Sequence, residues 1–321
     1  RIIQISALGA DQSAQSHYHL SKRAANDYLA ELPLEWVILR PSIVYGAGAK
    51  SMALFRALSA LPLTPLVADG GQRIQPIHID DLIQSVLISL DSHQMVRKSI
   101  DLVGPAPITL REMLQQQRRW LGLGRLRTLT VPYGLIRFFS GFADFLGNTS
   151  ANREIVEMLQ RGNIGDVHPF IALFGFTPRS MNERLSCVPA TTADRWYAEL
   201  YFLRPLLCIS LAVMWILTGL TSAFFYPTES SYDLLAQTGI HGGWAPLMLY
   251  GAATLDLLLG LALLFFWRVR TIALLQIAIM FLYSLIISIA LPEFWLHPFG
   301  PVSKNLPLIV ATLILFVMEK R

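Results

Sequence analysis

The sequence predicts an α/β unit in front and an all-α bundle of four transmembrane helices behind it. Three observations lead there. Residues 1–200 carry 20 of the 26 Lys and Arg and 17 of the 22 Asp and Glu, leaving six and five for the last 121 residues. In that front part, short apolar runs alternate with stretches of helical period, the pattern of strands separated by helices. From Leu206 onward, three stretches of about twenty residues are almost free of charge, each long enough to cross a hydrocarbon core of about 30 Å.

Taken in order, Ile2, Ile3 and Ile5 read as a buried strand that ends at Ser6, whose hydroxyl could hydrogen-bond a substrate oxygen. Tyr18 to Leu32 reads as a helix, with Leu20, Ala24, Ala25, Tyr28, Leu29 and Leu32 at helical spacing. A four-residue step puts Tyr18 and Lys22 on one face. An ammonium beside a phenol favours the phenolate, which suits Tyr18 to proton transfer. A pair on a solvated face is the competing use of the same spacing.

Glu35–Arg40 is a strand, and Pro41 opens a loop closing at Tyr45-Gly46. Ser51–Leu61 reads as a helix and Gly70-Gly71 as a turn. Arg73–Ile79 leads into a strand ending at His78, and Asp80 is expected to cap a helix over Asp81–Leu90. His78 reads as a packing residue. Ser99–Val103 is a strand, Thr109 caps a helix through Trp120, and Leu129–Val131 is extended. An aromatic helix follows over Tyr133–Leu146 with Phe138, Phe139, Phe142 and Phe145, then helical pieces at 155–162, 167–174 and 181–185.

The order of Ser6, Tyr18-x-x-x-Lys22, Glu35–Gly46 and Ile77-His-Ile-Asp-Asp-Leu82 resembles the second half of an extended short-chain dehydrogenase/reductase, the NAD-dependent epimerase/dehydratase group. Within that group the likeness is to the atypical branch that includes the nucleotide-binding accessory subunit of respiratory complex I. Gly-Phe-Thr-Pro-Arg179 is similar to the group's closing segment. The resemblance covers residues 1–190 and implies the C-terminal half of a Rossmann-like fold. It implies catalytic roles for Tyr18, Lys22 and Ser6, with Tyr18, Lys22, Pro41, Ser42 and Ile43 against a cofactor, NAD or NADP. The glycine-rich phosphate turn such a fold needs is absent from this chain, which is expected to begin near the fifth strand. On that expectation the dinucleotide-binding half precedes Arg1, and these residues alone are inactive.

The rear part is similar to DoxX-like membrane domains. Its boundaries read as a linker over 191–203 and a membrane domain over 204–321, with spans near 206–225, 246–267, 271–291 and 303–318. Arg204, Arg268, Arg270, Lys320 and Arg321 fall at alternate ends, whereas Tyr226–Gly243 has no Lys or Arg. The positive-inside rule then puts both termini and the soluble domain in the cytoplasm of a multi-pass protein, on this reading of a bacterial inner membrane. Asp256 is a candidate functional residue, because a carboxyl at mid-span is costly and normally faces a partner or cavity. Two cysteines make neither a disulfide framework nor a metal site, and a net charge of +4 without a basic run gives nucleic-acid binding no support.

Three functions fit. The first is a membrane-anchored NAD(P)-dependent oxidoreductase or epimerase/dehydratase acting on a small molecule. The second is a non-catalytic, nucleotide-binding accessory protein among membrane redox partners. The third is a quinone- or lipid-linked role centred on Asp256.

Overall fold

The computed structural model describes residues 1–319 other than 47, 50, 68, 133 and 135–161. The aromatic helix expected over 133–146 and most of the piece at 155–162 therefore lie outside the described residues, as do Lys320 and Arg321. The chain divides into two compact units, Arg1–Tyr201 and Phe202–Arg321.

The first unit begins with β1 (Ile2–Ile5), α1 (His17–Glu31), β2 (Trp36–Pro41), β3 (Val44–Tyr45), α2 (Ser51–Ala60) and β4 (Thr64–Val67). It continues with β5 (Arg73–Ile74), β6 (Ile77–His78), α3 (Ile79–Asp91), β7 (Lys98–Leu102), β8 (Ile108–Thr109), α4 (Leu110–Trp120) and β9 (Thr128–Val131). Beyond the undescribed stretch come α5 (His168–Phe174), α6 (Met181–Cys187) and α7 (Thr192–Leu200).

Three strands form a parallel sheet in the order β1-β2-β7. The central strand β2 is apolar on both faces because both are covered. Trp36 and Ile38 pack with Leu29 of α1, while Val37 and Leu39 pack with Leu82, Ile100, Phe170 and Phe174. A continuous apolar run is what a parallel strand buried on both sides requires. At its end Arg40 lies opposite Asp101, and their side chains pair at 2.7 Å.

The remaining strands are short pairs: β3 with β6 and β4 with β9, both parallel, and β5 with β8, antiparallel. The run from Arg73 was expected to lead into one strand ending at His78, but Pro76 has no N–H to give a ladder and the run breaks into β5 and β6 around it. The helix expected to be capped by Asp80 starts earlier. His78 is its N-cap, with Nδ1 accepting from the Asp80 amide at 3.1 Å, so Asp80 lies inside the first turn. The stretch read as a linker contains α7, whose Thr191/Asp194 capping box closes its N-terminus.

The second unit holds α8 (Leu203–Leu220), extended by a π-helical turn over Thr221–Phe225, then α9 (Thr228–Gln237), α10 (Trp244–Leu264), α11 (Val269–Ala290) and α12 (Asn305–Met318). Three of these, α8 with its π turn, α10 and α11, are long and apolar enough to cross a membrane. The fourth, α12, is 14 residues, or about 21 Å of helix. Helices α8 and α10 approach closely through two glycines. A Cβ on Gly260 would lie 2.9 Å from the Ala212 carbonyl oxygen, and one on Gly219 would lie 2.7 Å from that of Ala253. Small residues at such crossings let backbones meet where lipid supplies no hydrophobic drive.

Candidate functional site

The site builds from the carboxyl end of β1. The Ser6 amide donates to the Leu39 carbonyl at 2.8 Å, which continues the β1–β2 ladder one residue past the strand. That holds the Ser6 side chain inside, 3% exposed, and its hydroxyl has no hydrogen-bond partner among the described residues. A buried hydroxyl left unpaired costs about 1–3 kcal/mol, so such a group calls for a reason.

After Ser6 the chain turns through Gly9, at φ +85°, into α1. Ser16 caps that helix by accepting from the His19 amide at 3.2 Å. Its own proton then goes to His19 Nδ1 at 2.8 Å, leaving Nε2–H to donate to the Leu8 carbonyl at 3.1 Å. His19 thus ties the loop to the first turn of α1, next to Tyr18. Along the same stripe Tyr18, Lys22 and Asn26 recur every fourth residue. The Lys22 ammonium donates to the Ile5 carbonyl at 3.0 Å, beside Ser6. Asn26, buried, accepts from Gln4 at 2.9 Å and donates to the Ala10 carbonyl at 3.3 Å.

The structure therefore brings Lys22 and Ser6 to one strand end. Tyr18 stands one helical turn away on the same stripe, 41% exposed, its ring edge-on to His19. Asn26 was missed in the sequence, although continuing the four-residue step would have found it. Pro41, Ser42 and Ile43 end β2 nearby. The Ser42 amide donates to the Leu102 carbonyl at 2.9 Å, its hydroxyl donates to the Gln75 carbonyl at 2.5 Å, and the Ile43 carbonyl accepts from the Ile77 amide. The Ser42 side chain is thus engaged by backbone.

A polar cavity of about 290 Å³ opens beside these strand ends, lined by Gly9, Asp11, Ser16, His19, Asp101 and Asn163 among others. Ligands of open parallel sheets bind in such a crevice, outside the carboxyl ends of the strands. Its two acids differ. Ser13, donating to the Asp11 carboxylate from both its hydroxyl and its amide, holds that group below the usual range. Burial raises Asp101 against the opposing pull of Arg40.

A second cluster surrounds β3 and β6. Tyr45 and His78, paired in register, meet edge to face at 5.0 Å. The Tyr45 hydroxyl donates to the Arg179 carbonyl, and burial, helped by Asp81, pushes its pKa far up. Asp81 is 1% exposed and accepts from the Arg179 guanidinium and, at 3.0 Å, from the Arg179 amide. Burial and then the Arg184 charge hold His78 below the ordinary histidine value.

In the second unit Asp256 is buried on α10 with one carboxyl oxygen unpartnered among the described residues. Among the described residues, Gln276 on α11, fully buried, leaves both ends of its amide unpaired, and the buried Trp215 indole on α8 lacks an acceptor. The Thr218 hydroxyl on α8 donates to the Met214 carbonyl of its own helix.

Residues 212–313 match the DoxX-like family. Over 156 residues the chain is 26% identical to subunit 9 of the NADH dehydrogenase (ubiquinone) 1 alpha subcomplex of Arabidopsis thaliana mitochondria, covering 46% of this chain and 37% of that protein. It is 32% identical over 82 residues to a ceramide reductase of Caulobacter vibrioides, covering 25% of this chain and 26% of the relative. Among solved structures, a nucleoside-diphosphate-sugar epimerase from Staphylococcus aureus is 15% identical, with a TM-score of 0.45, covering 57% of this chain and 63% of that one. In each case the match takes in less than two thirds of the relative's length. This chain joins a part similar to NADH-dehydrogenase-subunit and reductase sequences to a segment matching the DoxX-like family.

Proposed function

We propose that this chain is the membrane-anchored part of an NAD(P)-linked oxidoreductase that works with a Ser6, Tyr18 and Lys22 site. One observation carries the reading: the buried, unpartnered Ser6 hydroxyl lies next to the carbonyl that receives the Lys22 ammonium. An orphan donor at the carboxyl end of a parallel strand is suited to a substrate oxygen. Similarity to a ceramide reductase supports the same class of reaction.

The residues present fit the nicotinamide end of a dinucleotide. Lys22 uses one of its three protons on Ile5 and keeps two to donate to ribose hydroxyls. The backbone at Pro41, Ser42 and Ile43 would border the ring, since the Ser42 hydroxyl is already held by Gln75. When bound, the cofactor supplies or takes the hydride. Tyr18 moves the proton at the reacting oxygen, the Lys22 charge favours its phenolate, and Ser6 steadies that oxygen.

The test is single-residue replacement in the full-length protein. Tyr18→Phe should lower NAD(P)H-dependent carbonyl reduction by roughly 10²–10⁴ while leaving the melting temperature unchanged. Unchanged turnover would favour the second reading, a nucleotide-holding accessory protein. That reading draws on the similarity to a subunit of NADH dehydrogenase.

A further inference from the structure

We propose that the cavity between α4, α6 and α7 binds the phosphate-bearing head group of a membrane lipid. This goes beyond the reductase reading and does not depend on it. The cavity, about 800 Å³, is larger than the one lined by Gly9, Asp11 and His19 and lies wholly within the first unit. Its lining includes Arg119, Trp120, Asn182, Ser186, Arg195 and Trp196. Arg195 is held by Glu199 at 3.1 Å. The Arg119 guanidinium makes no hydrogen bond or ion pair among the described residues, so the lining carries one side-chain cation without a counter-charge there. A guanidinium offers paired N–H donors in the geometry that phosphate oxygens accept, and hydroxyl and amide groups around it complete a polar head-group site.

The chain itself says where that ligand comes from. Glu199, in the cavity wall, is followed four residues later by Leu203, the first residue of a membrane-spanning helix. That connection is at most about 14 Å long at full extension. The helix carrying Glu199 exposes Trp196 at 63% and Tyr197 at 55%, with Tyr201 just beyond its end. Indole and phenol rings are the side chains that settle at head-group depth, where one end is apolar and the other wet. A phosphate-bearing head group suits a cavity walled by an aromatic helix that is followed, four residues on, by an apolar helix long enough to cross a bilayer.

The full chain in nanodiscs containing phosphatidylglycerol with a photoreactive head group tests this. After irradiation and digestion, adducts are expected on the peptides bearing Arg119 and Arg195. Arg119→Glu should cut that yield about tenfold, equivalent to about 1.4 kcal/mol, with the circular dichroism spectrum unchanged. Trp196→Ala, a second variant on α7, should lower it too. Adducts scattered over the surface, or a yield unaffected by either variant, would overturn the proposal. Equal competition by soluble glycerol phosphate at the same concentration would also overturn it, assigning the cavity to a free phosphate compound.

Discussion

At His78 one ring nitrogen has two neighbours but one use. Nδ1 accepts from the Asp80 amide, which it can do only while unprotonated, so the nearby Asp80 carboxylate at 3.4 Å does not draw a proton onto it. Burial and Arg184 hold its pKa below the unfolded value of about 6.5. A lowered histidine pKa means the folded state binds the proton less readily than the unfolded one. The stabilisation is therefore complete above about pH 6.5 and shrinks as pH falls below that value, toward the folded pKa. Melting curves across that window should steepen for the natural chain and flatten for His78→Asn, which keeps a capping acceptor without a titrating ring; the cap itself is worth about 1 kcal/mol. Asp81 gives a larger effect. Removing its partner by Arg179→Ala leaves a carboxylate that is 1% exposed without its cation, at an expected cost of about 3 kcal/mol. Adding Asp81→Asn to that variant should recover part of the loss in chemical denaturation. At the candidate site, spacing alone put Tyr18 and Lys22 on one helix face, as they stand along α1. The orphan state of Ser6 was not legible, because it depends on which strand lies beside β1.

Among the elements, the α8–α10 crossing is the most sensitive to volume. Gly219→Val or Gly260→Val would drive a side chain into the facing backbone, costing about 1–3 kcal/mol and lowering the melting temperature of the detergent-solubilised protein. The same substitution at Gly251, where an added Cβ meets nothing within 4 Å, is the matched control. Sequence periodicity located the long helices well, since three of them are apolar over twenty residues or more. It missed β4, whose Pro65 argues against a strand, and it ran β5 and β6 together across Pro76. Both errors have one origin. These strands are two to four residues long and exist only because a distant partner completes them, β9 for the first and β3 and β8 for the others.

For the whole molecule, the second unit carries its own argument about topology. Arg204 at the start of α8 pairs with Glu319 just past α12, so the last apolar helix ends at the level where the first begins. Arg270 stacks over Phe316 at the same end, 4.3 Å from the ring centroid. An even number of crossings follows if α12 passes the bilayer, despite its 14 residues. In a chain with Cys187 and Cys208 replaced by alanine, Glu229→Cys should react with an impermeant maleimide in intact cells. Arg268→Cys should react only after lysis, and its labelling from outside would reverse the orientation.

The short connection between Glu199 and Leu203 has a kinetic consequence as well. On the proposed function, a reductase unit on such a leash would sample a thin layer over the membrane rather than the volume of a cell. Anything dissolved in that layer meets it at an effective concentration in the millimolar range, the usual value for a short tether. Binding weak enough to be invisible in dilute solution would then be sufficient for turnover, and rates would follow the mole fraction of an amphiphile in the bilayer instead of its bulk concentration.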